Sequence, residues 1–186
     1  MSDSPAIAPG ALSGLRVLEL AQIMAGPTCG MMLADLGADV IKIEKIDGGD
    51  DARGYREPTI NGVSAPFLML NRNKRGIALD LKTPEGREVF LRMVRNADVV
   101  IENFRKGTLE KLGLGYDTLS RENPGLIYCA ISGYGRTGPF ADKGIKVCGS
   151  PAEAAHGADA IVTMVADDAA TEAVTLLMFL AALAVV

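Results

Sequence analysis

Cysteine is scarce in this chain of 186 residues, and the three that it has lie far apart. Cys29, Cys129 and Cys148 form no close pair with the spacing of a metal or redox motif. The opening MSDSPAIAPG also lacks the basic and apolar stretches of a signal peptide, so residues 1–11 are expected to form a flexible tail. Scattered cysteines in a chain without a leader are typical of reduced thiols. The sequence therefore predicts a cytoplasmic protein without a metal site.

An excess of positive charge and a long apolar run are absent as well. The net charge is −4, whereas a nucleic-acid-binding domain normally carries a basic excess. The longest apolar run, residues 176–186, has about half the length that a membrane-spanning helix needs. We therefore expect neither a nucleic acid nor a membrane as a partner.

What the sequence does contain is an alternation of apolar strands with amphipathic helices. Thr83-Pro84-Glu85 has the residue types that begin a helix, and Asp117 or Thr118 is expected to cap a later one. The predicted strands are residues 16–20, 39–44, 77–81, 97–103 and 126–132. Strands separated by helices form parallel sheets, so the sequence predicts an α/β fold with a doubly wound parallel sheet.

Two places resemble a dinucleotide-binding fingerprint, and both lack its context. The loop at 21–27 follows a strand and precedes a helix, but it holds only Gly26, although Glu44 imitates the acid that binds a ribose. Gly133, Gly135 and Gly138 have the G-x-G-x-x-G spacing, but a turn-like Pro-Phe-Ala-Asp-Lys-Gly follows them. A nicotinamide-dependent oxidoreductase therefore stays a minor alternative.

Cations gather near the predicted strand ends. They occur in NRNKRG (71–76) and ENFRKG (102–107), and Lys42 and Lys45 flank the end of the second strand. Such runs form either a solvated turn or a clamp for an anionic ligand. In an acidic protein, cations at the ligand-facing edge of a sheet favour an anionic ligand.

Three long blocks make the chain resemble a known family. They are LSGLRVLELAQIMAGPTCGMMLADLGADVIKIEK, LNRNKRGIALDLKTPEGREVF and ADVVIENFRKGTLEKLGLGYDTLSRENPGLIYCAISGYGRTGP. In this order and spacing they resemble the N-terminal part of class III CoA-transferases, a group that includes formyl-CoA and carnitine CoA-transferases and the related 2-methylacyl-CoA racemases. The resemblance implies that residues 12–144 form a Rossmann-like domain that binds coenzyme A, in an interlocked homodimer acting on acyl-CoA and carboxylic acid substrates.

The resemblance also implies roles for individual residues. The positions expected beside the thioester and pantetheine are Ile23, Met24 and Ala25. Those expected near the nucleotide phosphates are Lys45, Arg72 and Arg75, and those flanking the pantetheine and pyrophosphate are Asn103, Phe104 and Arg105. Many transferases carry glutamine where Met24 stands, so the acyl substrate stays open.

The resemblance assigns the catalytic carboxylate to Asp168. It would attack the acyl-CoA thioester, giving an enzyme-bound anhydride and then an aspartyl-CoA thioester. The alternative is that Asp167 and Asp168 cap a helix. Residues 147–174 also resemble the Rossmann segment of β-hydroxyacid dehydrogenases, so we expect 145–186 to be an atypical segment containing a strand and an apolar helix.

The remaining choice concerns the activity. His156 is expected on a helix surface, away from the position of the racemase base, which favours the transferase over the racemase. The chain is shorter than its family and is expected to lack the second domain. The alternatives are therefore a CoA-transferase, a 2-methylacyl-CoA racemase and an inactive, truncated CoA-binding fragment.

Overall fold

The computed structural model describes residues 10–133. In chain order the strands are β1 (Arg16–Glu19), β2 (Asp39–Glu44), β3 (Thr59–Ile60), β4 (Val63–Ser64), β5 (Arg75–Ala78), β6 (Val99–Glu102) and β7 (Ile127–Ala130). The helices are α1 (Ala25–Asp35), α2 (Ala65–Asn71), α3 (Pro84–Val94), α4 (Thr108–Lys111) and α5 (Tyr116–Glu122), with a short 3-10 helix at Asp51–Gly54.

The central sheet has five strands in the order β5-β2-β1-β6-β7. All of its neighbouring pairs are parallel. The chain moves outward from β1 through β2 to β5, and then crosses to β6 on the other side of β1. This is a doubly wound arrangement, and the predicted fold class is confirmed. The strand order reverses at β1, so the carboxyl ends of β1 and β6 border the crevice where such sheets bind ligands.

Two apolar clusters cover the two faces of the sheet, because successive strand residues point to opposite sides. Val17, Val40 and Ile101 pack with α1 on one face. Leu18 and Val100 pack on the other face with residues of α3, α4 and α5.

The structure confirms one helix cap that the sequence predicts and contradicts another. Thr83 caps α3 by accepting a hydrogen bond from the Gly86 N–H at 3.1 Å, as its residue type predicts. Neither Asp117 nor Thr118 caps α5, which begins after Gly115. Instead, Asp117 lies in the first turn, where a carboxylate interacts favourably with the helix dipole.

The region between β2 and α3 differs most from the expectation. The strand predicted at 77–81 begins earlier, at Arg75, which pairs in register with Ile41 of β2. The helix α2 and the β3–β4 hairpin were not predicted. The hairpin turns at Asn61-Gly62, whose φ angles of 52° and 77° are both positive, as a type I′ turn requires.

Several predictions fall on residues that the structure does not describe. They concern residues 1–9 of the flexible tail, Cys148, His156, Asp168, the segment 145–186 and the glycines at 135 and 138. Within residues 10–133, no helix is long and apolar enough to cross a membrane.

Candidate functional site

The loops that follow β1 and β6 are joined at the carboxyl edge of the sheet. The Gln22 N–H donates to Asn103 Oδ1 at 2.9 Å, and the Asn103 amide donates back to the Gln22 carbonyl at 2.8 Å. The Leu20 N–H donates to the Ile101 carbonyl at 2.8 Å. These bonds bring residues 22–25 and 103–105 together at the point where the strand order reverses.

The loop after β1 contains a strained residue. Ile23 has a φ of 68°, in the left-handed region, which is rare for a β-branched side chain and costs about 1–3 kcal/mol. Its N–H donates to Asp50 Oδ1 at 2.9 Å. Ile23 and Met24 are 40% and 48% exposed, so two apolar side chains face solvent beside the crevice. An outlier held by a buried carboxylate indicates a functional constraint on this loop.

The helix α1 starts directly after this loop and packs closely on the sheet. No side chain of the described residues caps its amino end, and Pro27 in the first turn has no N–H, so the backbone donors left for an anion are those of Ala25 and Gly26. A Cβ on Gly26 would lie 2.0 Å from Ala21 Cβ, and a Cβ on Gly30 would lie 1.8 Å from Glu19 Oε2. Glycine at these two positions is therefore what allows α1 to approach the end of β1.

A buried ionic network lies beneath the loop, and Lys42 is its centre. The Lys42 ammonium lies 2.8 Å from Glu19 Oε1, 2.8 Å from Asp50 Oδ2 and 2.8 Å from the Ala21 carbonyl oxygen. All three charged side chains are at most 2% exposed. A buried ammonium is tolerated only when such partners compensate for its lost hydration. Lys42 therefore does not face an anionic ligand, contrary to the expectation.

Lys74 extends the network to two helices. Its ammonium lies 2.7 Å from Glu19 Oε2 and donates to the Pro27 carbonyl at 2.8 Å and to Asn71 Oδ1 at 3.0 Å. Burial lowers the pKa of Lys74, and the neighbouring carboxylate of Glu19 offsets part of this effect. The centre of the NRNKRG motif is thus neither a solvated turn nor an anion clamp.

The segment between β2 and the 3-10 helix folds so that Asp50 reaches under the loop. Glu44 Oε2 accepts the Asp50 N–H at 2.8 Å, and Arg53 binds both oxygens of Glu44 at 2.6 and 2.8 Å. The hydrogen bonds from Arg53 keep the pKa of Glu44 low. Gly48 and Gly49 have positive φ, which the sharp turn before Asp50 requires. Glu44 stands where a dinucleotide-binding protein has its ribose-binding acid, but here its carboxylate is bound by Arg53 and by the Asp50 N–H.

The ionisation of Asp50 follows from its surroundings. Burial acts to raise the pKa of Asp50. The hydrogen bonds from Lys42 and from the N–H groups of Ala52 and Ile23 outweigh burial, so its pKa is lowered overall. Asp50 is therefore an anion at neutral pH.

The resemblance implies that four cations lie near the phosphates of CoA, namely Lys45, Arg72, Arg75 and Arg105, and two of these lie at the carboxyl edge. Lys45 directly follows β2 and pairs with Asp51 at 2.5 Å, a contact that raises its pKa. Arg105 follows β6 and is exposed. The strands β2 and β6 flank β1 on either side, so both cations border the same edge as Ile23.

Arg72 and Arg75 lie elsewhere. Arg75 binds both oxygens of Asp39, at the start of β2, at 2.9 and 2.6 Å. Arg72 pairs at 2.5 Å with Asp35, at the end of α1. The start of β2 and the end of α1 lie at the amino edge of the sheet, so the structure does not bring these two arginines to the crevice.

The residues expected beside the pantetheine arm lie on two neighbouring loops. The hydrogen bonds between Gln22 and Asn103 bring the loop that holds Ile23, Met24 and Ala25 next to the loop that holds Asn103, Phe104 and Arg105. Phe104 packs partly on the core, and its N–H donates to Glu102 Oε2 at 2.8 Å. No role was predicted for Glu19 or Asp50, and a solvated or anion-binding position was predicted for Lys74, which is buried instead. A signal for Glu19 was present, since an acid inside the apolar strand RVLEL needs a buried partner.

Among the residues that the structure describes, no three His, Cys, Asp or Glu side chains are grouped to hold a metal ion. The absence of a metal site from the whole chain stays a prediction.

Comparison with known sequences gives consistent matches. The model of CoA-transferase family III matches residues 12–180. The succinate–glutarate CoA-transferase of Agrobacterium fabrum is 52% identical over 148 residues, which are 76% of this chain and 37% of that protein. The succinyl-CoA:glutarate CoA-transferase of Mus musculus is 42% identical over 142 residues, which are 76% of this chain and 32% of that protein. The chain therefore spans about a third of the length of these relatives.

Solved structures agree with the sequence matches. A CAIB/BAIF family protein from Brucella suis superposes with a TM-score of 0.70 at 38% identity, over 94% of this chain and 50% of that chain. Rv3272 from Mycobacterium tuberculosis gives a TM-score of 0.68 at 40% identity, over 83% of this chain and 43% of that chain.

Proposed function

The chain belongs to CoA-transferase family III, and from this membership we propose that it supplies the coenzyme A site of an enzyme that moves CoA between an acyl-CoA thioester and a carboxylic acid. The observation that carries the proposal is the pairing of loop 22–25 with loop 103–105 at the carboxyl edge of the sheet.

The chemistry of the crevice suits each part of CoA. The exposed side chains of Ile23 and Met24 offer an apolar surface for the pantetheine arm. The uncapped amino end of α1 and the guanidinium of Arg105 suit phosphate oxygens, since both present N–H donors with positive charge. Lys45 would add a second cation. Arg72 and Arg75 are left out of the proposal, because Asp35 and Asp39 hold their guanidinium groups at the other edge.

The acyl group is proposed from the relatives. Several are named for succinyl-CoA, including proteins that act with glutarate, L-malate or mesaconate. We therefore take a short dicarboxylic acyl-CoA, with succinyl-CoA as the first donor to test, and a carboxylic acid as acceptor.

For the transfer itself we keep Asp168 as the nucleophile that the resemblance implies. Its carboxylate would attack the thioester carbonyl, expelling CoA thiolate and leaving a mixed anhydride. CoA thiolate would then attack the aspartyl carbonyl, releasing the first acid and leaving an aspartyl-CoA thioester. The acceptor carboxylate would attack the aspartyl thioester and expel CoA thiolate, giving a second mixed anhydride. CoA thiolate would then attack the acceptor's carbonyl, forming the new acyl-CoA and releasing the Asp168 carboxylate.

The binding proposal is tested by calorimetric titration of CoA into the chain at low salt. We expect saturable binding, and Arg105→Ala should raise Kd about tenfold through the loss of a charged phosphate contact. Arg92→Ala is the matched control, because the Arg92 side chain is 61% exposed on α3 and lies 3.7 Å from the Glu88 carboxylate. No binding of the parent chain at millimolar CoA would contradict the proposal.

The role of Asp168 is tested by turnover of succinyl-CoA with acceptor acids. Asp168→Ala should abolish transfer while leaving CoA binding intact, whereas the adjacent Asp167→Ala should retain transfer. If both variants are less stable but keep the turnover of the parent chain, the two carboxylates are helix caps and the nucleophile lies elsewhere.

A further inference from the structure

Asp50 is the point at which the buried ionic network meets the strained loop. Its Oδ1 accepts the N–H of Ile23 and the N–H of Ala52, both at 2.9 Å. Its Oδ2 lies 2.8 Å from the Lys42 ammonium, and the side chain is fully buried. One carboxylate therefore contacts both the backbone of the exposed loop and the centre of the network.

The surrounding segment is shaped to hold Asp50 in this place. Glu44 fixes the Asp50 backbone through its N–H, and Arg53 fixes Glu44 while its guanidinium lies 3.7 Å above the Phe67 ring. A Cβ on Gly49 would lie 2.5 Å from Glu44 Oε2, so the preceding turn closely surrounds this carboxylate. Four residues thus support one hydrogen bond to Ile23.

We propose that Asp50 is a positioning residue for the CoA loop: its carboxylate holds Ile23 in the left-handed conformation and thereby sets how residues 23–25 face the ligand. The consequence for CoA binding rests on the proposed function. The effect on the loop itself does not.

A merely structural role would be neutralisation of Lys42, and asparagine separates the two roles. Asp50→Asn keeps an oxygen that accepts from Ile23 and Ala52, but it turns an uncharged NH₂ group toward the buried ammonium. Asp50→Ala removes both the acceptor and the charge. Positioning therefore predicts that the two variants lose similar stability but differ in ligand affinity.

The affinity is measured by calorimetric titration of CoA into the 186-residue chain. We expect Asp50→Ala to raise Kd about tenfold or more and Asp50→Asn to raise it by less than about threefold. Asp117→Asn and Asp117→Ala are the matched controls, because Asp117 is exposed on α5, and both should bind as the parent does. Equal losses in Asp50→Asn and Asp50→Ala would overturn the positioning role.

The loop conformation is measured without ligand, by NMR hydrogen exchange of the Ile23 amide against that of Leu18 in β1. Ile23 should be protected in the parent and in Asp50→Asn, and should exchange about tenfold faster relative to Leu18 in Asp50→Ala. If Asp50→Ala does not fold, loss of Ile23 protection in a folded Asp50→Asn overturns the proposal. Failure of CoA binding with this exchange pattern intact would refute only the proposed function.

A double-mutant cycle tests the link to backbone strain. Glycine adopts positive φ without penalty, so Ile23→Gly removes the conformation's cost. In the Ile23→Gly background, Asp50→Ala should lower CoA affinity by less than it does in the parent. An undiminished loss would mean that Asp50 does not act through the Ile23 backbone.

Discussion

At the scale of single residues, two charged side chains inside the strands hold the neighbouring loops in place. Glu19 and Lys42 occupy equivalent rungs of neighbouring strands, and both point to the face covered by α1. Burying either charge without the other would cost free energy, because an unpaired buried charge loses its hydration. Together with Asp50 and Lys74 they tie the ends of β1 and β2 to the start of α1 and to α2.

The thiol of Cys29 gives a prediction at the same scale. Burial raises the pKa of Cys29, and the nearby Cys129 and Glu19 raise it further. Since the thiolate is the reactive form, Cys29 should be alkylated by iodoacetamide at pH 8 more slowly than a free cysteine. Mass spectrometry of peptides over a time course, with glutathione as the reference, measures this rate. Alkylation of Cys29 as fast as that of glutathione would refute the prediction.

At the scale of elements, the contact between α1 and the end of β1 is the most tightly constrained. An alanine inside a helix normally stabilises it by about 1 kcal/mol relative to glycine. At Gly30 the added Cβ would meet the Glu19 carboxylate that Lys42 and Lys74 hold in place. Packing therefore opposes helix propensity at this position, and the steric term is the larger.

We expect Gly30→Ala to lower the free energy of unfolding by about 3 kcal/mol, because neither the helix nor the ion-paired carboxylate can move freely. Urea denaturation measures the change. Gly54→Ala is the control, since among residues 10–133 its added Cβ would meet no atom within 4 Å apart from those of its chain neighbours. It should change stability by less than about 0.5 kcal/mol. Stabilisation by Gly30→Ala would show that the contact with Glu19 is not rigid.

At the scale of the whole molecule, ion pairs hold both edges of the sheet. Asp35 and Asp39 at the amino edge, and Glu44 and Asp50 at the carboxyl edge, all have lowered pKa values. For the first three, hydrogen bonds from arginine are the largest cause. For Asp50, hydrogen bonds overcome the opposing effect of burial.

These directions predict acid sensitivity. A carboxyl group whose pKa is lower in the folded state stabilises the fold above its unfolded pKa, and that stabilisation is lost as pH falls through the folded pKa. Stability should therefore be nearly constant from neutral pH to about 5 and fall below about 4. Thermal unfolding followed by circular dichroism from pH 7 to 2.5 measures this, and Asp50→Asn should show a shallower fall. A midpoint that does not change down to pH 3 would contradict the prediction.

The sequence by itself determined the family and the chain order of the five strands of the central sheet, although it did not predict α2 or the β3–β4 hairpin. Apolar runs, helix caps and the three ordered blocks are local signals, and they correctly predicted β2 at 39–44, the Thr83 cap and the α/β sheet. The sequence also predicted that the loops after β1 and β6 lie at one edge of the sheet, because the carboxyl ends of parallel strands share an edge.

Only the tertiary structure decided which charged side chains are paired within the protein. Lys42, Lys74, Arg72 and Arg75 resemble anion-binding residues in the sequence, yet acids distant in the chain hold all four. Pairing of this kind depends on strand register and on the approach of α1, and neither is encoded in a local pattern. The same holds for Asp50, whose contact with Ile23 joins residues 27 positions apart. A charge's role depends on its partners, and folding alone brings those partners within reach.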